Sequence, residues 1–129
     1  MAQPVVHFEI IGEDPASLRR YYGELFGWDF DTSGQVADAV SAPGQYGFTD
    51  PGRSTVGAGI PGGIGGGAGY RPRTLFYVGV ADVEGALAEA ERLGGTRVSG
   101  PHLSSDSSGL VVGFFTDPDG HLVGLASAS

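Results

Sequence analysis

The chain has 129 residues, 40% hydrophobic and 17% charged, which suits one globular domain with a modest core and excludes a disordered chain. Its net charge is −8 and all seven basic residues are arginine, so no basic surface is available for nucleic acid or for an anionic membrane. The absence of cysteine excludes disulfides and thiolate chemistry.

In chain order, MAQPVVHFEI has no basic stretch followed by a long apolar one, and no apolar run anywhere is long enough to cross a bilayer. The expectation is a cytoplasmic protein without a secretory signal. From Pro4 the sequence PVVHFEIIGEDPASLRRYYGELFGWDF opens as a strand and reaches Asp14 as helix N-cap, with Pro15 in the first helical position. Leu18, Tyr21, Tyr22, Leu25 and Phe26 then follow at i, i+3, i+4, i+7 and i+8, an apolar stripe expected to pack on a sheet. Three strand-like runs come next, near Trp28–Phe30, Tyr46–Thr49 and Thr55–Ile60.

GAGIPGGIGGGAGYR, from Gly57 to Arg71, contains a literal G-x-G-x-x-G at Gly57, Gly59 and Gly62. A dinucleotide-binding fingerprint needs a helix opening at its last glycine. Here Pro61 intervenes, more glycines follow, and Arg71-Pro72 leads into a strand, so no helix N-terminus is offered to a phosphate. The run reads instead as a last strand and a linker whose backbone closely approaches something, a bound ligand being one candidate.

The second half repeats the first. TLFYVGVADVEGALAEAERLGGTRV starts at Thr74, and at an offset of 68 Phe8 meets Phe76, Asp14 meets Asp82, Leu25 meets Leu93 and Gly27 meets Gly95. Val83, Ala86, Leu87, Ala90 and Leu93 form its helical stripe, stopped by Gly94-Gly95. Strand-like runs follow at Thr96–Ser99, Leu110–Thr116 and His121–Ala126. The unit is βαβββ, used twice, in an α+β domain spanning 1–129. Module one covers about 4–61, a glycine-rich linker about 62–73 and module two about 74–127.

With the repeated units and the segments YVGVADVEGALAEAERLGG and FFTDPDGHLVGL, the chain resembles the vicinal-oxygen-chelate superfamily, also called glyoxalase/bleomycin-resistance/extradiol-dioxygenase. The resemblance covers nearly the whole sequence. It implies two half-barrels forming a curved sheet around a cavity, with the helices outside. Metal enzymes of that group carry a ligand at the start of each module and another on each module's last strand. By that likeness the first position falls on His7, the one metal-ligand candidate, and its repeat falls on Leu75. The second module's last-strand position is Gly124, where DPDGHLVGL departs from the usual glutamate. TVGAGIP, read as the first module's last strand, has no Glu, Gln or His. The resemblance therefore implies a member that has lost most of its metal ligands, and no cofactor is expected.

Parity places His7 and Glu9 on one face of the first strand, and Leu75 and Tyr77 on the corresponding face of its repeat. A histidine and a carboxylate in a cavity have the makings of an acid–base pair. Trp28, Tyr46, Phe48 and Phe114 complete an apolar, aromatic lining, and Gly59 lets backbone come close to a ligand. The expected function is metal-independent binding of a planar, largely apolar metabolite or antibiotic between the modules, by a homodimer. The alternative is a lyase, isomerase or dioxygenase-like enzyme using a recruited divalent metal or His7/Glu9 acid–base chemistry.

Overall fold

A computed structural model describes residues 2–104 and 109–128. The elements run β1 (Val5–Gly12), α1 (Pro15–Phe26), β2 (Gly47–Thr49), β3 (Arg53–Ser54), β4 (Gly57–Ala58), β5 (Gly62–Gly66), β6 (Arg73–Gly79), α2 (Val83–Arg92), β7 (Thr96–Leu103), β8 (Leu110–Thr116) and β9 (Leu122–Ala128). The fold is α+β: each module opens with a strand and a helix, completed by β7, β8 and β9 in the second and by β2 and β5, with the separate hairpin β3–β4, in the first. Two compact units result, His7–Thr74 and a second that joins the residues up to Val6 to those from Leu75 onward. The boundary therefore falls inside β1. Gly79 N–H donates to Pro4 O at 2.9 Å, which ties the N-terminal residues to the second unit.

In the first unit β5 lies between its neighbours. It runs parallel to β1, with Phe8 opposite Gly62, Glu9 opposite Gly63 and Ile10 opposite Ile64. It runs antiparallel to β2, with Phe48 opposite Gly63. Two sequence expectations are corrected here. The strand that completes the module is not Thr55–Ile60 but the glycine run Gly62–Gly66, which the linker reading had removed from the module. GGIGG shows no hydrophobic alternation, yet all five residues are buried: the rings of Phe8 and Tyr46 occupy the space where side chains of Gly62, Gly63 and Gly65 would be, and the Gly12 backbone closes over Gly66. Residues Thr55–Ile60 instead carry part of a short exposed hairpin, β3 with β4.

The expected strand near Trp28 is also absent. Only an isolated bridge from Asp31 to Phe48 forms. The Asp31 carboxylate accepts bonds from Ser33 N–H and Ser33 Oγ, closing a local turn that competes with strand pairing.

Helix α1 begins as its sequence dictates: the Asp14 carboxylate accepts from Ser17 N–H, and Pro15 is buried in the first turn. Gly27, at φ 73°, ends it in the left-handed conformation. The expectation that the whole stripe is core fails. Leu18 and Tyr22 are half-buried, whereas Tyr21, Leu25 and Phe26 are exposed, Phe26 at 56%. The small sheet beneath offers three-residue β2 and glycine-rich β5, too little side-chain surface to cover a stripe five residues wide. Trp28 covers part of what remains by stacking on Tyr22, with ring centroids 5.2 Å from both Phe8 and Phe26.

The second unit is packed more conventionally. Strand order is β6-β9-β8-β7, with β6 parallel to β9 and the other pairs antiparallel. Val83, Leu87 and Leu125 form the core, flanked by Val78, Val80, Ala86, Val111 and Phe115. Leu93, at the far end of the α2 stripe, is 65% exposed. Leu87→Ala is expected to cost about 2–5 kcal/mol, and Leu93→Ala to change stability by no more than about 0.5 kcal/mol. Urea denaturation of the two variants checks this; equal losses would place Leu93 in the core.

Candidate functional site

The register of the first unit sets Glu9, Gly63 and Phe48 side by side in one row across β1, β5 and β2. Tyr46 lies just before β2 and has its ring over β5. A Cβ added at Gly63 would stand 2.0 Å from Tyr46 Cε1 and 2.3 Å from its hydroxyl oxygen, and one at Gly65 would be 2.5 Å from Tyr46 Cδ2. Only a strand face without side chains admits a ring this close. Neighbouring backbone fixes the ring's position. Arg19 Nη1 donates to Gln45 O at 2.5 Å. Ser41 Oγ, fully buried, accepts from Gly66 N–H at 2.9 Å, and Ala42 N–H donates to Gly66 O at 2.9 Å.

The Tyr46 hydroxyl joins two of the expected site residues. It donates to Glu9 Oε1 at 2.9 Å and lies 2.8 Å from His7 Nε2. With Glu9 ionised, Tyr46 spends its proton on the carboxylate, so its oxygen accepts from His7 and the imidazole is the Nε2–H tautomer. Glu9 is 1% exposed and Tyr46 2%, while His7 is half-buried, so His7 is the outer end of the chain. Burial pushes the His7 imidazole down from 6.5 to about 4, which keeps it neutral at pH 7. Phe48 packs beside both rings, 4.8 Å from Tyr46 and 6.0 Å from His7 between centroids.

The second unit repeats the row. Tyr77, Gly124 and Phe114 lie side by side across β6, β9 and β8. A Cβ at Gly124 would be 2.5 Å from Tyr77 Cδ2, so a ring again occupies the space above the central glycine. Tyr77 and Phe114 meet edge to face at 5.8 Å, and His102 lies 6.3 Å from Phe114. Leu75 is buried two residues before Tyr77.

Of the residues singled out from sequence, His7, Glu9, Tyr46 and Phe48 come together in the first unit, and Tyr77, Phe114 and Gly124 in the second. Trp28 and Gly59 do not join them. They line a separate cavity of about 560 Å³ with Phe26, Pro51, Val56 and Gly57. Trp28 packs against Phe8, on the opposite face of β1 from His7. Gly59 lies outside β5, so Gly63 takes the last-strand position previously sought in TVGAGIP. Gly63 went unrecognised because a glycine carries no pattern; its one signal was the repeat, which pairs Glu9 with Tyr77 and hence Gly63 with Gly124.

A family-type metal does not fit these residues. Leu75, Gly63 and Gly124 offer no donor, and His7 Nε2 faces the Tyr46 hydroxyl. Among the described residues no three His, Asp or Glu side chains converge on a common point. His121 is exposed and faces the Asp117 carboxylate at 3.0 Å, within the DPDG turn.

Two modules, each opening with a strand and a helix and each carrying a glycine at the centre of a three-strand row, define a two-module protein of the glyoxalase type. The family model for the glyoxalase-like domain matches residues 7–126, and the chain belongs to that family. No curated protein matches its sequence. Among solved structures, methylmalonyl-CoA epimerase of Streptomyces coelicolor, in complex with 2-nitronate-propionyl-CoA, is 15% identical and covers 100% of this chain and 99% of that chain, with a TM-score of 0.68. A hypothetical protein from Bacillus halodurans is 12% identical, covers 100% of this chain and 96% of that chain, and has a TM-score of 0.66. Identities this low establish a common fold and leave activity open. No helix among the described residues is long and apolar enough to cross a membrane.

Two outcomes test this geometry. Gly63→Ala pushes a methyl into the Tyr46 ring and is expected to cost about 1–3 kcal/mol. At Gly59 the nearest atom to an added Cβ is Gly52 O at 3.5 Å, so Gly59→Ala should stay within about 0.5 kcal/mol of the parent. Denaturant titration of both variants decides whether the close approach is at β5.

The second outcome concerns pH. The unfolded imidazole of His7 takes up a proton near 6.5 and the folded one only near 4, so between these values the unfolded chain binds the extra proton. The contribution of His7 is intact above pH 6.5 and falls as pH is lowered toward 4, by at most about 3 kcal/mol. Measured as the difference in stability between the parent and His7→Gln, this dependence should appear only within that window. A flat difference would mean that His7 is not desolvated.

Proposed function

We propose that the protein binds a small, planar, largely apolar molecule with one polar edge, without a metal, at the His7–Tyr46–Glu9 cluster. The observation that carries this reading is the cluster's construction. A neutral imidazole is the accessible end of a hydrogen-bond chain whose other members are buried, and Phe48 stands beside it as an apolar wall. Such a surface offers a ligand stacking and one directional hydrogen bond, the usual composition of a small-molecule site. In the second unit Tyr77 and Phe114 supply a comparable aromatic row. Sequestration of a metabolite or antibiotic needs only affinity, since mass action does the rest.

The structural neighbours support a small-molecule role in general terms, because the Streptomyces coelicolor epimerase is described with a coenzyme A ester analogue bound. The site here differs in chemistry from a metal centre, so its ligand is held by the imidazole and by ring faces. The test is equilibrium binding of a panel of planar aromatics by calorimetry, on protein whose metal content has been measured. Expected are less than one-tenth of a metal per chain, affinity unchanged by chelator, and a loss of tenfold or more in His7→Ala. Stoichiometric metal that survives dialysis, or His7→Ala binding as the parent does, would overturn the reading.

A further inference from the structure

Beside helix α2 the second unit carries a cavity of about 580 Å³ that shares no residue with the His7 cluster. One wall is the flank of α2 at Gly85, Ala86 and Ala90, whose small side chains leave the space open. Facing it are Val78 of β6, Val80 just beyond that strand, Leu125 of β9 and Phe115 of β8. Leu93, left 65% exposed by the core, also lines it. The polar side chains are Gln3 and three carboxylates, Asp82, Glu89 and Asp117, with no arginine or histidine among them. Of the two arginines in this unit, Arg92 pairs with Glu89, and Arg97 pairs with Glu84 and Glu91. Asp117 faces the His121 ring and accepts from the backbone N–H groups of Asp119 and His121. That leaves Asp82 uncompensated.

The repeat shows that Asp82 departs from its own role. At the offset of 68, Asp14 and Ser17 correspond to Asp82 and Gly85. The Asp14 carboxylate accepts from Ser17 N–H and caps α1, whereas the Asp82 carboxylate makes no capping bond to α2. It lies instead beside the bare backbone of Gly85, where an added Cβ would be 2.6 Å from Asp82 Oδ2. Among the described residues this carboxylate has no hydrogen bond or ion pair. A helix that forgoes a stabilising cap and holds a carboxylate at a cavity wall breaks a local rule without a local gain.

We propose that this cavity binds an amphiphilic organic cation, with an aliphatic body against Val78, Val80 and Leu93 and an ammonium or guanidinium head beside Asp82. The site is additional to the His7 cluster and does not rest on it. An ion pair open to solvent contributes little, so apolar contact supplies most of the affinity and the carboxylate selects the sign of the ligand's charge. The positive end of α2 carries only about half a charge, less than the full charge of Asp82. With Phe115 as its one ring, the cavity suits a flexible chain better than a flat aromatic. A second copy of this chain is the weaker occupant, because its net charge is −8 and the cavity is itself acidic.

The probe is octylammonium, with octanol and octanoate as its neutral and anionic counterparts, titrated into isotope-labelled protein while backbone amide shifts are followed by NMR. Expected are affinities in the order cation, alcohol, carboxylate, with the cation bound about threefold or more tighter than the alcohol. The largest shifts should fall at Val80, Gly85, Ala86 and Ala90. Asp82→Asn keeps a good capping residue and should bring octylammonium to within about twofold of octanol. Asp14→Asn removes the same charge from the other module and should leave both affinities as in the parent. Leu93→Ala should weaken octylammonium and octanol alike. Equal affinities for the three probes in the parent, or equal losses in Asp82→Asn and Asp14→Asn, would overturn the proposal. So would shifts that fall outside the cavity. The same shifts produced by raising the protein concentration without probe would make a second copy the occupant, and the proposal would fall.

Discussion

The close approach of the Tyr46 ring to the bare backbone of β5 is the contact on which the first module depends. A ring lying against Gly63 and Gly65 takes the volume that side chains of β5 would otherwise fill. It also brings a hydroxyl into the row of Glu9 and Phe48, within reach of His7. Packing and polar chemistry are thus set by one residue. Removing the ring would open a void above two glycines and take one hydrogen bond from the buried Glu9 carboxyl, and both losses act in the same direction.

The repeat shows that this is an architectural rule rather than an accident of one loop. Each module places a glycine at the centre of a three-strand row and covers it with a tyrosine ring. The rings come from different places. Tyr46 enters from outside its row, two residues before Phe48, whereas Tyr77 is itself a member of its row. That difference has a chemical consequence: the hydroxyl of Tyr46 is set against Glu9, while the position equivalent to Glu9 in the second module is already the tyrosine. The acid–base groups therefore gather in one module and the apolar row in the other.

Much of this was legible in the sequence. The two helices with their Asp starts, the strands of the second half and the shared parity of His7 with Glu9 followed from spacing, because apolar alternation and caps act locally. β5 was not legible. GGIGG has no alternation to read, and what makes it a strand is Phe8 over Gly62 and Tyr46 over Gly63, contacts with residues distant in sequence. The misplaced strand near Trp28 was different, since Asp31 and Ser33 were a readable turn signal that the surrounding aromatics outweighed. The α1 stripe overstated its burial because periodicity reports which residues share a face, not how wide a surface lies beneath them.

The glycine-centred rows also constrain the order in which substitutions can be accepted. At Gly63 or Gly124 every change adds atoms, and the first atom added meets a tyrosine ring. A carboxylate or imidazole cannot enter either row in one step; the ring above it must shrink first, and that step on its own leaves a hole over the strand. The route to a chelating side chain at these places crosses a less stable intermediate, whichever replacement comes first. The two tyrosines act as a ratchet, and with both rings in place change at their partner positions is confined to glycine.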